Sequence, residues 1–462
     1  MPSTWGRVLP PITRYILNTP GELDMVSFGR GFLRRSRAAA APILLAILTL
    51  TILAASAAAS GQPAIMAVGD VHGDFDDFVL ILQRSGLIDA QLHWTGNDTT
   101  LVQTGDLLDR GPKPREVMDF LMSLQKEAAK KGGHVVVLLG NHEVMNIMGD
   151  LRYVTAGNYA SFAEKDSEKR RHSAYQQYAE WRKNHAALLQ TIPQMFSANT
   201  EEEWQVQHPA GFIEQREAFS PEGKYGKWLR ERPAVADINQ VIFLHGGLDP
   251  SVSSLKVDEI NKRVQEEIAS FDAAKKFMVS QRLVLPFFTL QEITAVVQAE
   301  LQARQNAPGT RHPNLTNPGD TLPEHTQLQI LNNFAGYGHW LSVASNGPLW
   351  FRGYDQWTDE QGAAEVPHLL AAYHASRIVV GHTPQKDGRI RARFGGTVFL
   401  IDTGMLSSYY PQGRASALEI SGNSKFTAEY MDRKDVLFDR TATVPGASPA
   451  AGGSGATAQP NR

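Results

Sequence analysis

The stretch AIMAVGDVHGDF, residues 64–75, decides how this chain is read. Its apolar run is long enough for a buried strand, and glycine then lets the backbone turn sharply into Asp70 and His72. The same grammar recurs four times. TLVQT leads into GDLLDRG (105–111), HVVVLL into GNHE (140–143), QVIFL into HGG (245–247) and RIVV into GHT (381–383). Each run reads as a strand, and each ends on Asp, Asn or His with glycine beside it. Ligands of open α/β sheets gather at the carboxyl ends of strands. The spacing therefore predicts an α/β fold in which Asp70, His72, Asp106, Asn141, His245 and His382 meet at one place.

Oxygen and imidazole donors in that number suit two divalent metal ions per chain (Mn, Fe or Zn). The chain has no cysteine, so thiolate ligation is excluded. A pair of ions needs one carboxylate that touches both, and Asp106 is the natural bridge. Asp70 and His72 complete the shell of the first ion, while Asn141, His245 and His382 hold the second. Two ions about 3.5–4 Å apart clamp phosphoryl oxygens and lower the pKa of a shared water, so the pattern points to hydrolysis of phosphate esters. Arg110 offers the planar fork that grips two phosphate oxygens. His142 is placed to protonate a leaving alkoxide or phenoxide, with Asp109 as the carboxylate that orients and charges it. Glu143 reads as a brace that holds its loop through backbone N–H groups. Singly, these motifs are weak: HGG arises by chance, His245 alone suits a core or capping role, and an exposed Asp109–Arg110 pair is worth ~0–1 kcal/mol. The signal lies in their order and in the strand-like run before each.

The series GDVHGDF (69–75), GDLLDRGPKPREVM (105–118), GNHEVMNIMGDLRYVT (140–155), WLRERP (228–233) before HGGL, and GHTPQ (381–385) resembles the Shewanella-like protein phosphatases. These are PPP-type metallophosphatases of the calcineurin-like phosphoesterase superfamily. The last metal motif is GHTPQ where the eukaryotic serine/threonine members carry Arg-Ala-His, and IDTGMLSSYY (401–410) stands where they have a SAPNY-like segment. The resemblance covers about residues 64–432. It implies a β-sandwich of two mixed sheets flanked by helices, with the metals at one edge. It implies the six metal ligands already named, with Asn141 also facing substrate, Arg110 on phosphate, and His142 with Asp109 as proton donor. It also implies a second phosphate-gripping arginine. Arg352 is the first choice because it lies between the two late histidine motifs, and Arg230 and Arg232 are the alternatives. Phosphoprotein or phosphopeptide substrates follow, with some members selective for phosphotyrosine; Tyr153, Tyr354, Tyr409 and Tyr410 are candidates to pack on a phenyl ring. A small-molecule phosphatase or dinucleotide polyphosphate hydrolase would share the same metals. A non-catalytic binding relative would typically lack a ligand, and none is missing.

A net charge of −3 and a pI near 6.5 argue against a nucleic-acid partner held by phosphate contacts. The motifs run from 69 to 383 and must converge, so one catalytic domain with insertions is expected. Segments of about 156–230 and 251–306 read as amphipathic helices, either a solvated cap or walls that select substrates. Arg30, Arg34, Arg35 and Arg37 precede the apolar run 38–55, which small residues follow. This reads as a secretory signal peptide in preference to a membrane anchor, because the first strand begins near Ala64. Residues 1–60 are thus expected as an N-terminal extension and 444–462 as a disordered tail. Asn97 and Asn314 head glycosylation sequons.

Overall fold

The computed structural model describes residues 63–306 and 322–441. The apolar run 38–55, the Asn314 sequon and the tail 444–462 lie outside these residues. Among the described residues no helix is long and apolar enough to cross a membrane.

Two mixed sheets face each other. Strands β1 (Ile65–Val68), β2 (Thr100–Gln103) and β3 (His134–Val137) run parallel, and β9 (Ser416–Ser421), β10 (Lys425–Tyr430) and β11 (Lys434–Asp439) extend them as an antiparallel meander in the order β11-β10-β9-β1-β2-β3. The second sheet is ordered β4-β5-β6-β8-β7, from β4 (Val235–Ile238), β5 (Val241–Leu244), β6 (Arg377–Val380), β7 (Arg391–Arg393) and β8 (Val398–Leu400). Its three central strands β5, β6 and β8 are parallel. The expected α/β sandwich of two mixed sheets is the observed architecture.

Strands β1, β2 and β5 are buried on both faces, and β6 nearly so, which is why they read as unbroken apolar runs. The two faces still go to different cores. Ile65 and Ala67 of β1, Val241 and Phe243 of β5 and Phe399 of β8 point between the sheets, where they meet Leu418, Ile420 and Phe426. Met66 and Val68, Ile242 and Leu244, and Val398 and Leu400 point outward into the larger core beneath the helices. Phe399 and Phe426 stack across the sandwich with ring centroids 4.3 Å apart. Helices α1 (Phe75–Arg84), α2 (Pro114–Lys130) and α3 (Asn141–Met148) follow β1, β2 and β3. The first is capped by Asp74, whose side chain accepts the Asp77 N–H, and Pro114 starts the second.

The insertions are helical, as their periodicity predicts. They carry α4 (Ala156–Phe162), α5 (Ser167–Asn184), α6 (Phe212–Ala218), α7 (Val257–Ser280) and α8 (Leu290–Asn306), besides shorter helices. Their scattered aromatics are buried, not displayed. Tyr178, Trp181, Phe196, Trp204, Phe287 and Phe288 form a cluster continuous with the main core. Removing one ring of the inter-sheet stack should therefore be felt globally. Phe399→Ala is expected to cost about 3–5 kcal/mol of unfolding free energy in urea titrations. A loss under about 1 kcal/mol would contradict the packing described.

Candidate metal and phosphate site

The functional side chains stand on turns that end parallel strands or, for Asn141 and His142, at the start of the helix that follows, and several of the turns are conformationally costly. His72, Asp106, Asp109, Arg110 and His382 all have positive φ, between 47° and 68°. Such backbone costs of order 1–3 kcal/mol per residue and persists only where the surroundings impose it. Close approach of the chain is part of that imposition. A Cβ on Gly69 would lie 2.6 Å from the Ile401 carbonyl oxygen, and one on Gly105 (φ 91°) 2.4 Å from the Gly140 amide nitrogen. Glycine at these two points lets the ends of β1 and β8, and of β2 and β3, come together.

Asp106 occupies the middle. Its Oδ1 accepts the His142 N–H at 3.0 Å, capping the start of α3. Its Oδ2 lies 3.2 Å from His245 Nε2 and 3.7 Å from the Nε2 atoms of both His72 and His142. Glu143 braces this turn: it receives the backbone N–H groups of Asp106, Leu107 and Gly140 at 2.7–2.9 Å.

The histidines are tautomerically set by the backbone. Nδ1 of His72 donates to Leu108 O, Nδ1 of His245 to Thr104 O, and Nε2 of His382 to Trp350 O. Their remaining ring nitrogens therefore turn lone pairs inward. His245 Nε2 meets Asn141 Oδ1 at 3.0 Å and His382 Nδ1 at 3.1 Å, with Asp106 Oδ2 beside them. His72 Nε2 meets Asp70 Oδ2 and Asp106 Oδ2 at 3.7 Å. Acceptors facing acceptors in a buried space call for a cation. Two such clusters share Asp106: one with His72 and His142, the other with His245 and His382.

The electrostatics agree. Burial works to raise the Asp106 carboxyl, but His245, His142 and His72 outweigh it and hold it well below the usual range. Burial alone would lower His245, but Asp106 and Asp70 raise it to about 9. Burial and the neighbouring Asp402 push Asp70 well up, and burial pushes Asp402 up to about 6. His72 and His382 are lowered by burial and by neighbouring histidines. This donor set fits two divalent ions.

A histidine–aspartate pair and an arginine adjoin it. His142 Nδ1 meets Asp109 Oδ2 at 2.6 Å. Burial would lower this imidazole, but Asp106 and Asp109 raise it. Arg110 points one guanidinium nitrogen at His72 Nε2, and its Nη2 lies 3.3 Å from His142 Nε2. Its Nη1 also donates to Tyr410 OH at 2.7 Å, and its guanidinium stands 5.6, 4.8 and 5.6 Å from the ring centroids of Tyr153, Tyr409 and Tyr410.

The structure thus brings together all six sequence-predicted ligands with Asp109, Arg110 and His142. Arg352 borders the same place, its Nη1 donating to His382 O at 3.0 Å and Thr383 Oγ1 at 3.2 Å. The alternative arginines are braces: Arg230 forks onto Asp272 at 2.7 and 2.8 Å, and Arg232 binds Trp228 O. Tyr354 is corrected from candidate site residue to core. It is 1 % exposed, its hydroxyl engages Leu248, and Phe351 and Trp357 pack on its ring. Sequence reasoning missed Asp402, at the end of β8, and Asn146. The IDTG turn follows an apolar strand as the other motifs do, which is a signal that could have marked Asp402; Asn146 has none.

Residues 63–279 match the calcineurin-like phosphoesterase family. The chain also has relatives named as Shewanella-like protein phosphatases. Shewanella-like protein phosphatase 1 of Plasmodium berghei is 27% identical over 365 residues, covering 77% of this chain and 71% of that protein. Shewanella-like protein phosphatase 2 of Arabidopsis thaliana is 31% identical over 229 residues, 46% of this chain and 53% of that one. The solved structure of a cold-active protein tyrosine phosphatase shares the fold, with a TM-score of 0.51 and 23% identity over 82% of this chain and 80% of that one.

If Asp106 bridges two ions, Asp106→Asn should leave the protein folded, reduce bound metal by elemental analysis and cut turnover by at least about 10²-fold. Full activity with both ions retained would sink the bridging role.

Proposed function

We propose that the chain is a two-metal phosphomonoesterase acting on phosphoproteins, with phosphotyrosine preferred over phosphoserine. The observation that carries this reading is the convergence of Arg110 on His72 and His142, with three tyrosine rings within 5.6 Å of the guanidinium. Asp70, His72 and Asp106 would hold one ion, and Asp106, Asn141, His245 and His382 the other. When bound, the ions supply Lewis acidity toward the phosphoryl group and a nucleophile at neutral pH.

The chain's own residues supply the rest. Arg110 grips two non-bridging oxygens of a terminal phosphate, and Arg352 assists from the His382 turn. A diester has one fewer free oxygen to offer that fork, so monoesters are favoured. His142, held and charged by Asp109, gives its Nε2 proton to the departing oxygen. Tyr153 and Tyr409 are both exposed and flank Arg110, where a phenyl ring leaving with that oxygen would pack. Relatives named as protein phosphatases support a protein substrate.

The test is kcat/KM on matched phosphotyrosine and phosphoserine peptides with manganese, because that ratio reports differential transition-state binding. A ratio well above one is expected. A ratio at or below one removes the tyrosine preference, and faster hydrolysis of a bis-nucleoside tetraphosphate than of either peptide would replace the protein substrate altogether.

A further inference from the structure

Asn146 lies one helical turn beyond His142 on α3, and every polar atom of its side chain is engaged in the interior. Nδ2 donates to Asp109 Oδ1 and to His142 O, both at 2.9 Å, while Oδ1 accepts from Gln215 Nε2 at 2.7 Å. Asp109 gives its other oxygen to His142 Nδ1. A continuous set of hydrogen bonds thus runs from Gln215, on α6 of the helical insertion, through Asn146 and Asp109 to the imidazole. All four side chains are buried. Arg216, the next residue of α6, donates from Nη1 to Asn146 O at 2.8 Å. Gly149 ends α3 in a left-handed turn, and a Cβ there would fall 2.7 Å from Arg216 Nη2. The end of α3 is therefore shaped to receive this guanidinium.

The direction of these bonds has a physical reason. An ionised carboxylate only accepts, so Asp109 Oδ1 needs a donor in the interior. The Asn146 amide supplies one only when its NH2 faces Asp109; turned over, it would set its oxygen against the carboxylate. The His142 carbonyl, which only accepts, and the donor Gln215 Nε2 on the far side together select the productive orientation. Occupation of Asp109 Oδ1 by Asn146 then fixes the carboxylate's rotation and keeps Oδ2 on His142.

We propose that Asn146 is a positioning residue for proton donation, and that the insertion carrying Gln215 and Arg216 serves to hold it. This rests on the reading of His142 as the general acid. The Asn146 side chain places its hydrogen bonds on Asp109, the His142 carbonyl and Gln215, none of them a metal-ligand side chain or the phosphate-gripping arginine. Its loss should therefore leave substrate binding alone and slow reactions whose leaving group most needs a proton.

The experiment compares phenyl phosphate, a poor leaving group, with p-nitrophenyl phosphate, a good one, on the full chain with manganese. Variants are Asn146→Ala, the near-isosteric Gln215→Met, and His142→Asn as reference. Asn146→Ala should lower kcat on phenyl phosphate by about tenfold or more, part of the roughly 10²–10⁴-fold that general acid catalysis supplies. Turnover of p-nitrophenyl phosphate, KM for both esters and metal content should stay near wild type. Gln215→Met, which removes one of the two bonds that orient the amide and leaves the one to the His142 carbonyl, should shift the same ratio in the same direction by a smaller factor. A selective loss in His142→Asn without one in Asn146→Ala or Gln215→Met would overturn the positioning role and leave the proton donor intact. Equal losses on both esters in His142→Asn would remove the proton-donor reading, and the proposal with it. Equal losses on both esters confined to Asn146→Ala would assign Asn146 a structural part only.

Discussion

Two buried carboxylates tie the turn after β2 to the start of α3, and the site is built around that tie. Glu143 receives the N–H groups of Asp106, Leu107 and Gly140, while Asp106 Oδ1 receives the N–H of His142. Each turn thereby satisfies donors of the other. The energy of four charge-assisted hydrogen bonds in the interior offsets the left-handed backbone at Asp106 and leaves its second oxygen free to face the histidines. Without that exchange, Asp106 would have no reason to remain in a strained conformation at the centre of three imidazoles.

The two sheets contribute unequally but from the same direction. The first sends Asp70, His72, Asp106 and, through α3, Asn141 and His142; the second sends His245, His382 and Asp402. Parallel strands in both sheets end at the same edge, so their turns meet across the sandwich without long side chains. This explains why short residues suffice as ligands, and why glycine stands where backbones nearly touch. The flanking donors are supplied by backbone carbonyls of Leu108, Thr104 and Trp350, each fixing one imidazole.

Much of this was legible in the sequence because strand and function coincide there. AIMAV, TLVQT, HVVVLL, QVIFL and RIVV each contain an observed strand, and the ligand follows at its end. The helical insertions were legible from periodicity, whereas their aromatic cluster was not, since a buried Trp204 and an exposed tryptophan look alike in a polar helix. The β9–β11 meander drew no notice, although it sends Leu418, Ile420, Phe426, Ala428 and Tyr430 into the core between the sheets. Tyr354 shows the opposite error: proximity to Arg352 in sequence suggested the site, yet its ring fills the space that Gly247 leaves open. Asn146 and Gln215 could not be paired from sequence at all, because their contact joins a site helix to an insertion 69 residues away.

The central claim is that strand-end turns assemble two cation sites sharing Asp106. Anomalous diffraction from crystals grown with manganese tests it most directly. The account predicts two anomalous peaks on either side of the Asp106 carboxylate, one beside Asp70 and His72, the other beside Asn141, His245 and His382. A single peak, or peaks that leave Asp106 uncoordinated, would contradict it.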